Sequence, residues 1–284
     1  MGRSDRVKDG QLTSRLGPNG SLSFKPRFIK DKEGESLLFE GPKAKCLLAA
    51  DFKSVSDSLP TKALTVSAWV SVSTAREWGG ILGVIQDNGD KEKGWIVGYD
   101  ESTFYFGLAT QGADDGDGKM TYLKAKTKYR LGKLYHVAAA YDGNKTEIYI
   151  NGKVQNVTSF GTAPNEGHTF EGIPNASFSR IGDNSDGQSS LDGKIAELCI
   201  WNQCLTAENI KAMYNVSQTR LTRNQTISGF LNHSPRIQSI DNINYHDAHG
   251  KFDDMRTIDF VDPREEAIIR FNRVPYDAHT ILLK

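Results

Sequence analysis

The chain has 284 residues, of which 38% are hydrophobic and 25% are charged, and its 35 basic residues balance 35 acidic ones. This composition is typical of a globular protein with one large domain, or one domain plus a smaller piece. A net charge of zero argues against a nucleic-acid-binding protein. The sequence contains neither an apolar run of membrane-spanning length nor a signal-peptide core near Met1, which indicates an intracellular protein or a segment of a longer secreted chain.

Residues 1–33 show little periodicity, and we interpret them as a lead-in segment with one short strand at 22–28. From residue 34 onward, runs of alternating apolar and polar residues predict about twelve β-strands separated by turns rich in Gly, Asn and Asp. The clearest run, 64–72, places Leu, Val and Ala on one face and Thr, Ser and Trp69 on the other. The other predicted strands are 36–40, 46–51, 80–85, 94–99, 103–109, 120–124, 135–141, 146–151, 178–182 and 194–201.

One helix is predicted, at Ala207–Asn215, because Thr206 suits its N-cap and apolar residues follow at helical spacing. The strands and this short late helix together predict an all-β fold, a two-sheet antiparallel jelly-roll sandwich. After residue 216 the pattern becomes irregular. We therefore assign 34–216 to the sandwich and 217–284 to a linker with a partial, β-rich C-terminal extension.

Four segments occur in an order that resembles the laminin G-like domain: LTVSAWVSV; GWIVGYD with FYFGLA; LGKLYHVAAAYDGNKTEIYINGKV; and SRIGDNSDGQSSLDGKIAELCIWNQCLTAENI. The resemblance covers about residues 34–216 and implies the concanavalin A-like fold of the lectin/glucanase superfamily. That fold serves many purposes, so it does not define a function. The segment 78–123 is similar to laminin G-like segments that precede calcineurin-like metallophosphoesterase domains, which implies that a fibronectin-like sandwich starts near residue 225.

Two acidic segments, 86–90 and 112–118, are the best candidate metal site. They flank a predicted strand pair and supply the carboxylate, amide and carbonyl oxygens that calcium prefers. The alternative is that Asp, Asn and Gly simply form ordinary β-turns. The candidate calcium ligands are Asp87, Asn88, Asp90, Asp114, Asp115 and Asp117. A third acidic loop at 183–186 is either a further source of ligands or a turn.

Trp78 follows Arg76 and Glu77 in a predicted loop, where we expect it to be exposed and able to stack on a sugar ring. Packing in the core is the alternative. Glucanases need two carboxylates on one strand. The candidate strand 196–201 carries Glu197 alone, and no serine-nucleophile or phosphate-loop motif occurs. The sequence therefore predicts no catalytic residues.

The chain has three cysteines, Cys46, Cys199 and Cys204, so at most one internal disulfide can form. In the resembling folds the first and last strands are neighbours in one sheet, which makes Cys46 a candidate partner of Cys199 or Cys204. Three reduced, buried thiols are the alternative.

Asn-x-Ser/Thr sequons begin at seven of the 16 asparagines, more often than chance gives. On a secreted chain such sites are glycan acceptors, although Asn, Ser and Thr also accumulate in turns. The glycosylation candidates are Asn144, Asn156, Asn175, Asn215 and Asn224.

These features predict a non-catalytic extracellular recognition or adhesion module. Its expected partner is a glycan or an extracellular protein, with calcium as the candidate cofactor, and neither nucleic acid nor a membrane span is expected. The alternative is an N-terminal accessory domain of a larger secreted metallophosphoesterase or other hydrolase, with the catalytic domain in the same parent chain. A third alternative is an inert structural spacer.

Overall fold

The computed structural model describes residues 7–14, 19–31, 34–40, 44–49, 59–60, 62–87, 92–109, 121–160, 179–184, 189–215 and 217. The strands are β1 (Val7–Lys8), β2 (Gln11–Leu12), β3 (Gly20–Leu22), β4 (Arg27–Asp31), β5 (Gly34–Phe39), β6 (Cys46–Ala49), β7 (Leu64–Val72), β8 (Gly79–Asp87), β9 (Glu92–Tyr99), β10 (Thr103–Leu108), β11 (Thr121–Lys128), β12 (Leu134–Tyr141), β13 (Thr146–Ile150), β14 (Lys153–Val154), β15 (Val157–Phe160), β16 (Ser179–Ile181) and β17 (Gly193–Trp201). Helix α1 covers residues 207–215.

The chain divides into two compact units, Met1–Arg223 and Asn224–Lys284, and every described residue lies in the first. The predicted β-rich extension therefore lies outside the described residues, except for Ser217. Within the described part of the chain, no helix is long and apolar enough to cross a membrane.

The strands form two antiparallel sheets. The larger sheet has the order β1-β2-β3-β6-β16-β8-β9-β10-β11-β15, and the smaller has the order β14-β13-β12-β7-β17-β5-β4. Alternate side chains of both sheets form one large core that includes Phe39, Trp95, Phe104, Phe106 and Tyr141, all fully buried. Interdigitation of two inner faces in this way is the packing of a β-sandwich, so the predicted fold class is confirmed.

Strands β1 to β4 belong to the sandwich, although residues 1–33 were interpreted as a lead-in segment. Strand β3 is hydrogen-bonded to β6 in the larger sheet, and β4 pairs with β5 in the smaller. Strands of two to five residues are too short to show the period-two pattern from which the other strands were predicted. The sandwich therefore begins well before residue 34.

Strand β7 has the bounds that its alternation predicts, but all nine of its residues are buried. Ser67, Trp69 and Ser71 face away from the main core and are nevertheless shielded from solvent. Helix α1 covers part of this outer face, where the Tyr214 ring stacks on the Trp69 ring with their centroids 5.6 Å apart. The Trp69 Nε1–H donates to Ser217 Oγ at 2.9 Å.

Small residues beneath α1 let the helix approach the sheet closely. Ala138 and Ala140 of β12 form one apolar cluster with Ile210, which is fully buried. The helix begins where the sequence predicts, because Thr206 Oγ1 accepts a hydrogen bond from the Asn209 backbone N–H at 3.2 Å, as an N-cap should. The outer face of the smaller sheet is thus a second apolar layer.

His136 of β12 lies in this second layer. Its ring centroid is 5.4 Å from that of Trp69 and 5.8 Å from that of Tyr214. The residue is 2% exposed, and its Nδ1 has no hydrogen-bond partner among the described residues. Burial lowers the pKa of His136 to about 4, because an imidazolium would lose its hydration there.

We expect His136 to make the domain sensitive to mild acid. Its pKa in the folded state is about 4, below its usual 6.5, so between these pH values the folded state binds fewer protons than the unfolded state. The domain therefore loses stability as the pH falls from about 6.5 towards 4. The free energy of unfolding should fall by about 2 kcal/mol between pH 7 and pH 5.

Urea unfolding at the two pH values measures this difference. The variant His136→Gln should remove most of the pH dependence, whereas His168→Gln, a control elsewhere in the chain, should leave it unchanged. If the His136→Gln variant lost as much stability between pH 7 and pH 5 as the wild type does, the pH dependence could not be assigned to His136.

Candidate functional site

The outer face of the larger sheet carries its own apolar cluster, formed by Ile85, Ile96, Tyr105, Ala109 and Tyr122. Side chains alternate along a strand, so the residues of β9 and β10 that face outward are the ones between those that enter the main core. Tyr105 is fully buried and Tyr122 is 6% exposed. Both faces of this part of the sheet are therefore apolar.

Glycines make this outer cluster possible. Tyr105 of β10 pairs with Gly98 of β9, and Tyr122 of β11 pairs with Gly107 of β10. A Cβ atom on Gly98 would lie 2.4 Å from the Tyr105 ring, and one on Gly107 would lie 2.5 Å from the Tyr122 ring. Each tyrosine thus lies across the glycine of the neighbouring strand, and a larger residue there would displace the ring.

Trp78, immediately before β8, has a φ angle of 56°, in the left-handed region that residues other than glycine rarely adopt. Its carbonyl oxygen accepts a hydrogen bond of 2.8 Å from Asn184 Nδ2. Such a conformation costs of order 1–3 kcal/mol and persists where the surroundings enforce it, which is often at a binding site. Asn184 is one residue that holds the backbone in place.

The Trp78 side chain lies against the outer cluster. Its ring centroid is 5.0 Å from that of Tyr122 and 5.7 Å from that of Tyr105. The Lys124 Nζ lies 5.0 Å from the centre of the indole, at cation–π distance. Trp78 is half-buried, so the expectation of an exposed loop residue is corrected: part of the ring packs on the tyrosines and the rest reaches solvent.

A carboxylate completes this group of side chains. Asp100 Oδ2 is 3.0 Å from Lys124 Nζ, and its Oδ1 accepts hydrogen bonds from the backbone N–H groups of Ser102 and Thr103. Burial acts to raise the pKa of Asp100, but these hydrogen bonds and the ammonium group of Lys124 outweigh it, and the net pKa is lowered. The side chains of Asp100 and Lys124 are 18% and 29% exposed, so the pair is charged and accessible from one side.

The loop that contains Asp183 has a structural explanation. The carboxylate of Asp183 is buried, with Oδ2 at 3.5 Å from Lys45 Nζ and Oδ1 accepting a hydrogen bond of 2.9 Å from Ser190 Oγ. These contacts attach the loop to the larger sheet, next to the Asn184 that holds Trp78. Asp186, the second acidic residue of this loop, lies outside the described residues.

Five of the six candidate calcium ligands, all except Asp87, lie outside the described residues. Asp87 is the last residue of β8 and pairs with Glu92, and Ala109, after β10, donates its N–H to the Gly94 carbonyl of β9. The strand ends from which both acidic segments depart are thus at the same end of the sheet. Elsewhere, the described residues contain no group of three or more His, Cys, Asp or Glu side chains placed to hold a metal ion.

Trp78 lies at the opposite end of the same strands. It precedes β8, whereas Asp87 ends that strand, nine residues further along. At about 3.3 Å per residue the separation is roughly 30 Å. The end of β8 that leads into the first acidic segment is therefore far from Trp78.

No disulfide joins Cys46, Cys199 and Cys204 in the structure of the described residues. Cys46 belongs to β6 of the larger sheet, whereas Cys199 belongs to β17 of the smaller sheet, where the early neighbour of β17 is β5. Cys46 is buried in the main core, and burial raises the pKa of its thiol to about 12. The alternative reading of these cysteines as small core residues accounts for Cys46.

Three of the glycosylation candidates, Asn144, Asn156 and Asn215, are exposed, and Asn175 and Asn224 lie outside the described residues. The sequons differ at their hydroxyl residue. Ser217, which completes the Asn215 sequon, is buried against Trp69, whereas Thr158, which completes the Asn156 sequon, is exposed.

Two packed antiparallel sheets are the architecture of a jelly-roll sandwich. The sequence profile of the laminin G type in the concanavalin A-like lectin/glucanases superfamily matches residues 49–211, more than half of the chain. The chain belongs to this superfamily.

Individual relatives are distant. Pappalysin-1 from Mus musculus is 26% identical over 128 residues, which cover 41% of this chain and 7% of pappalysin-1. Pappalysin-1 from Homo sapiens is 25% identical over the same length, with the same shares of each chain covered. The chain thus spans only a small part of the curated relatives that it matches.

Among solved structures, a Trypanosoma rangeli sialidase in complex with 2,3-difluoro-KDN has a TM-score of 0.50 and 14% identity, over 76% of this chain and 34% of the sialidase. Domain 4 of AbnA, an extracellular arabinanase from Geobacillus stearothermophilus, in complex with arabinotriose, has a TM-score of 0.46 and 18% identity, over 69% of this chain and 87% of that domain. At these identities the sialidase match describes the fold alone.

We expect Gly98→Ala to damage the outer cluster. The added Cβ would meet the Tyr105 ring at 2.4 Å and the Gly79 carbonyl oxygen at 2.5 Å, so side chain and backbone would both have to move. Overpacking of this kind costs about 1–3 kcal/mol of stability. Thermal unfolding and tryptophan fluorescence should report the loss and the displacement of Trp78.

Gly83→Ala is the matched control on the same face. Its Cβ would meet side-chain atoms of Ile96 at 3.1 and 3.3 Å and of Ile85 at 3.4 Å, with no backbone atom among the three nearest. If both substitutions destabilised the domain equally, the packing of the tyrosine rings across the glycines would not explain the effect of Gly98→Ala.

Proposed function

We propose that this domain is a non-catalytic extracellular recognition module that binds a glycan at Trp78. The observation that carries the proposal is the position of this indole. It is half-buried, held in a left-handed backbone conformation by Asn184, and bordered by the charged pair of Asp100 and Lys124. A ring that serves only as packing has no need of a strained backbone.

This arrangement suits the two-sided chemistry of a sugar. The apolar C–H face of a pyranose can stack on an indole, while its hydroxyls need hydrogen-bond donors and acceptors close to the ring. Lys124 offers N–H donors and Asp100 offers carboxylate oxygens. Because Tyr105 and Tyr122 pack against the indole, little side-chain entropy would be lost on binding.

The extracellular location is part of the same proposal. Its support is that Asn144 and Asn156, the acceptor residues of two sequons, lie exposed on the sandwich. An extracellular protein remains the alternative partner, and the half-buried Trp78 would then be the anchor of that interface.

We expect Trp78→Ala to weaken glycan binding at least tenfold, because the stacking surface would be lost. Tenfold corresponds to about 1.4 kcal/mol. A screen of neutral and anionic oligosaccharides, followed by calorimetric titration of the strongest binder, measures the effect. Trp78→Tyr, which keeps an aromatic ring, should retain part of the affinity.

Leu131→Ala is the control, since Leu131 is also apolar and is 58% exposed in the turn between β11 and β12. Thermal unfolding of each variant separates lost binding from lost folding. Binding that is unchanged in a folded Trp78→Ala variant would rule out Trp78 as the site. Absence of any glycan ligand would favour the protein partner.

Calcium binding is a second element of the proposal. Its support is that the strand ends preceding both acidic segments lie at the same end of the sheet. A ligand present at about 100 times its dissociation constant adds roughly 2.7 kcal/mol to stability. The melting temperature should therefore rise by several degrees in millimolar calcium and fall when a chelator is added.

Asp115→Ala should abolish the response to calcium. Glu101→Ala removes an exposed acidic residue from the turn at the opposite end of the strands and should leave the calcium response intact. If calcium does not change the melting temperature of the wild-type protein, the calcium proposal is wrong and the acidic segments are ordinary turns.

The second candidate function is that of an accessory domain in a larger secreted hydrolase, for which a metallophosphoesterase is the expectation from sequence. The supporting observation is that the chain matches only 7% of pappalysin-1, so a segment of this kind occurs within a much longer protein. Sequencing of the full-length transcript decides this point. An open reading frame that continues past residue 284 into metal-ligand motifs would establish it, and one that stops there would exclude it.

A further inference from the structure

The connection from β14 to β15 links an edge of the smaller sheet to an edge of the larger sheet. Strand β14 is the edge strand of the smaller sheet, and β15 is the edge strand of the larger sheet. Among the described residues, no further strand pairs with either of them. Asn156 stands in the short link between these two edges.

Open edges carry a risk of aggregation, because unpaired N–H and C=O groups can pair with another chain. The risk is greater here because Val154 on β14 is 57% exposed, one of two large apolar side chains in the described part of the chain with this much exposure. The other, Leu131, lies in a turn and not on an edge. Asn156 is two residues after Val154.

Asn156 is also the sequon best placed to carry a modification. Its side chain is exposed and makes no hydrogen bond to other described residues, whereas its backbone is fixed by the Lys126 N–H, which donates to its carbonyl at 2.9 Å. Thr158, the hydroxyl residue of the sequon, is exposed as well. In contrast, Asn19 Oδ1 already accepts a hydrogen bond from the Ser14 N–H.

We propose that Asn156 carries an N-linked glycan that covers the open edge formed by β14 and β15. The proposal rests on the extracellular location proposed above, but not on glycan binding at Trp78. In the reaction, Asn156 Nδ2 forms a bond to the anomeric carbon of an oligosaccharide and loses one proton. The bond from that carbon to the pyrophosphate of a polyprenyl-linked donor breaks, and the pyrophosphate leaves with the electron pair. A bulky, hydrated group at this position blocks another chain from adding to either edge.

The test expresses the full chain behind a secretion signal in eukaryotic cells. Peptide mass spectrometry after treatment with a peptide-N-glycosidase detects occupancy, because the enzyme converts a glycosylated Asn156 to aspartate. We compare the wild type with Thr158→Ala, which destroys the sequon, and with Thr158→Ser, which preserves it. Asn144→Gln is a second control that removes a sequon away from the two edges.

We expect Asn156 to be occupied in the wild type and in Thr158→Ser but not in Thr158→Ala. The aggregated fraction, measured by light scattering and size exclusion, should rise several-fold in Thr158→Ala and in glycosidase-treated wild type, and in neither control. An unmodified Asn156, or a glycan whose removal leaves aggregation unchanged, would overturn the proposal.

The same preparations distinguish this proposal from the proposed function. If the protein binds no glycan but Asn156 is glycosylated and its glycan reduces aggregation, only the proposed role of Trp78 is overturned. If Asn156 is not glycosylated but Trp78 binds a glycan, only the proposed role of Asn156 is overturned.

Discussion

The smaller sheet depends on the double burial of β7. This strand is hydrogen-bonded to β12 on one side and to β17 on the other, and all of its residues are buried. Its inner side chains are covered by the larger sheet, but its outer ones need another layer, and α1 provides it. Trp69 shows the consequence: an indole N–H buried without a partner would cost about 1–3 kcal/mol, and Ser217 at the end of the helix accepts its hydrogen bond.

The larger sheet covers its outer face in a different way, and the candidate site results from this. The described residues place no helix on β8 to β11. Instead, Tyr105 and Tyr122 lie across Gly98 and Gly107 of the neighbouring strands, and Trp78 lies against both tyrosines. The same packing that shields the sheet thus leaves one indole at the boundary with solvent, where a ligand can reach it.

The sequence predicted the strands well where they are long and alternate, as at 64–72, because a period of two is a direct imprint of the pleat. It could not show what covers the outer face of β7 and β12, and nothing in the spacing indicated that α1 would pack over His136. Strand pairing was not visible in the sequence either, and β1 to β4 are too short to show alternation. Cys46 and Cys199 were assumed to be neighbours in one sheet, but the observed topology puts them in different sheets. Trp78 was singled out by its neighbours Arg76 and Glu77, but its partners are brought together only by strand register: Asp100 follows β9 and Lys124 lies on β11.

The distance between Trp78 and the far end of β8 would limit how a bound calcium ion could act in this domain. Calcium binds its oxygen ligands at 2.3–2.6 Å. The end of β8 that leads into the first acidic segment is roughly 30 Å from Trp78, so an ion held at that end is too far away to contact a sugar stacked on the indole. Calcium at the acidic segments would therefore stabilise that end of the sheet without bridging protein and ligand. Affinity at Trp78 would then have to come from stacking and from hydrogen bonds to Asp100 and Lys124, and it should be independent of calcium as long as the domain stays folded.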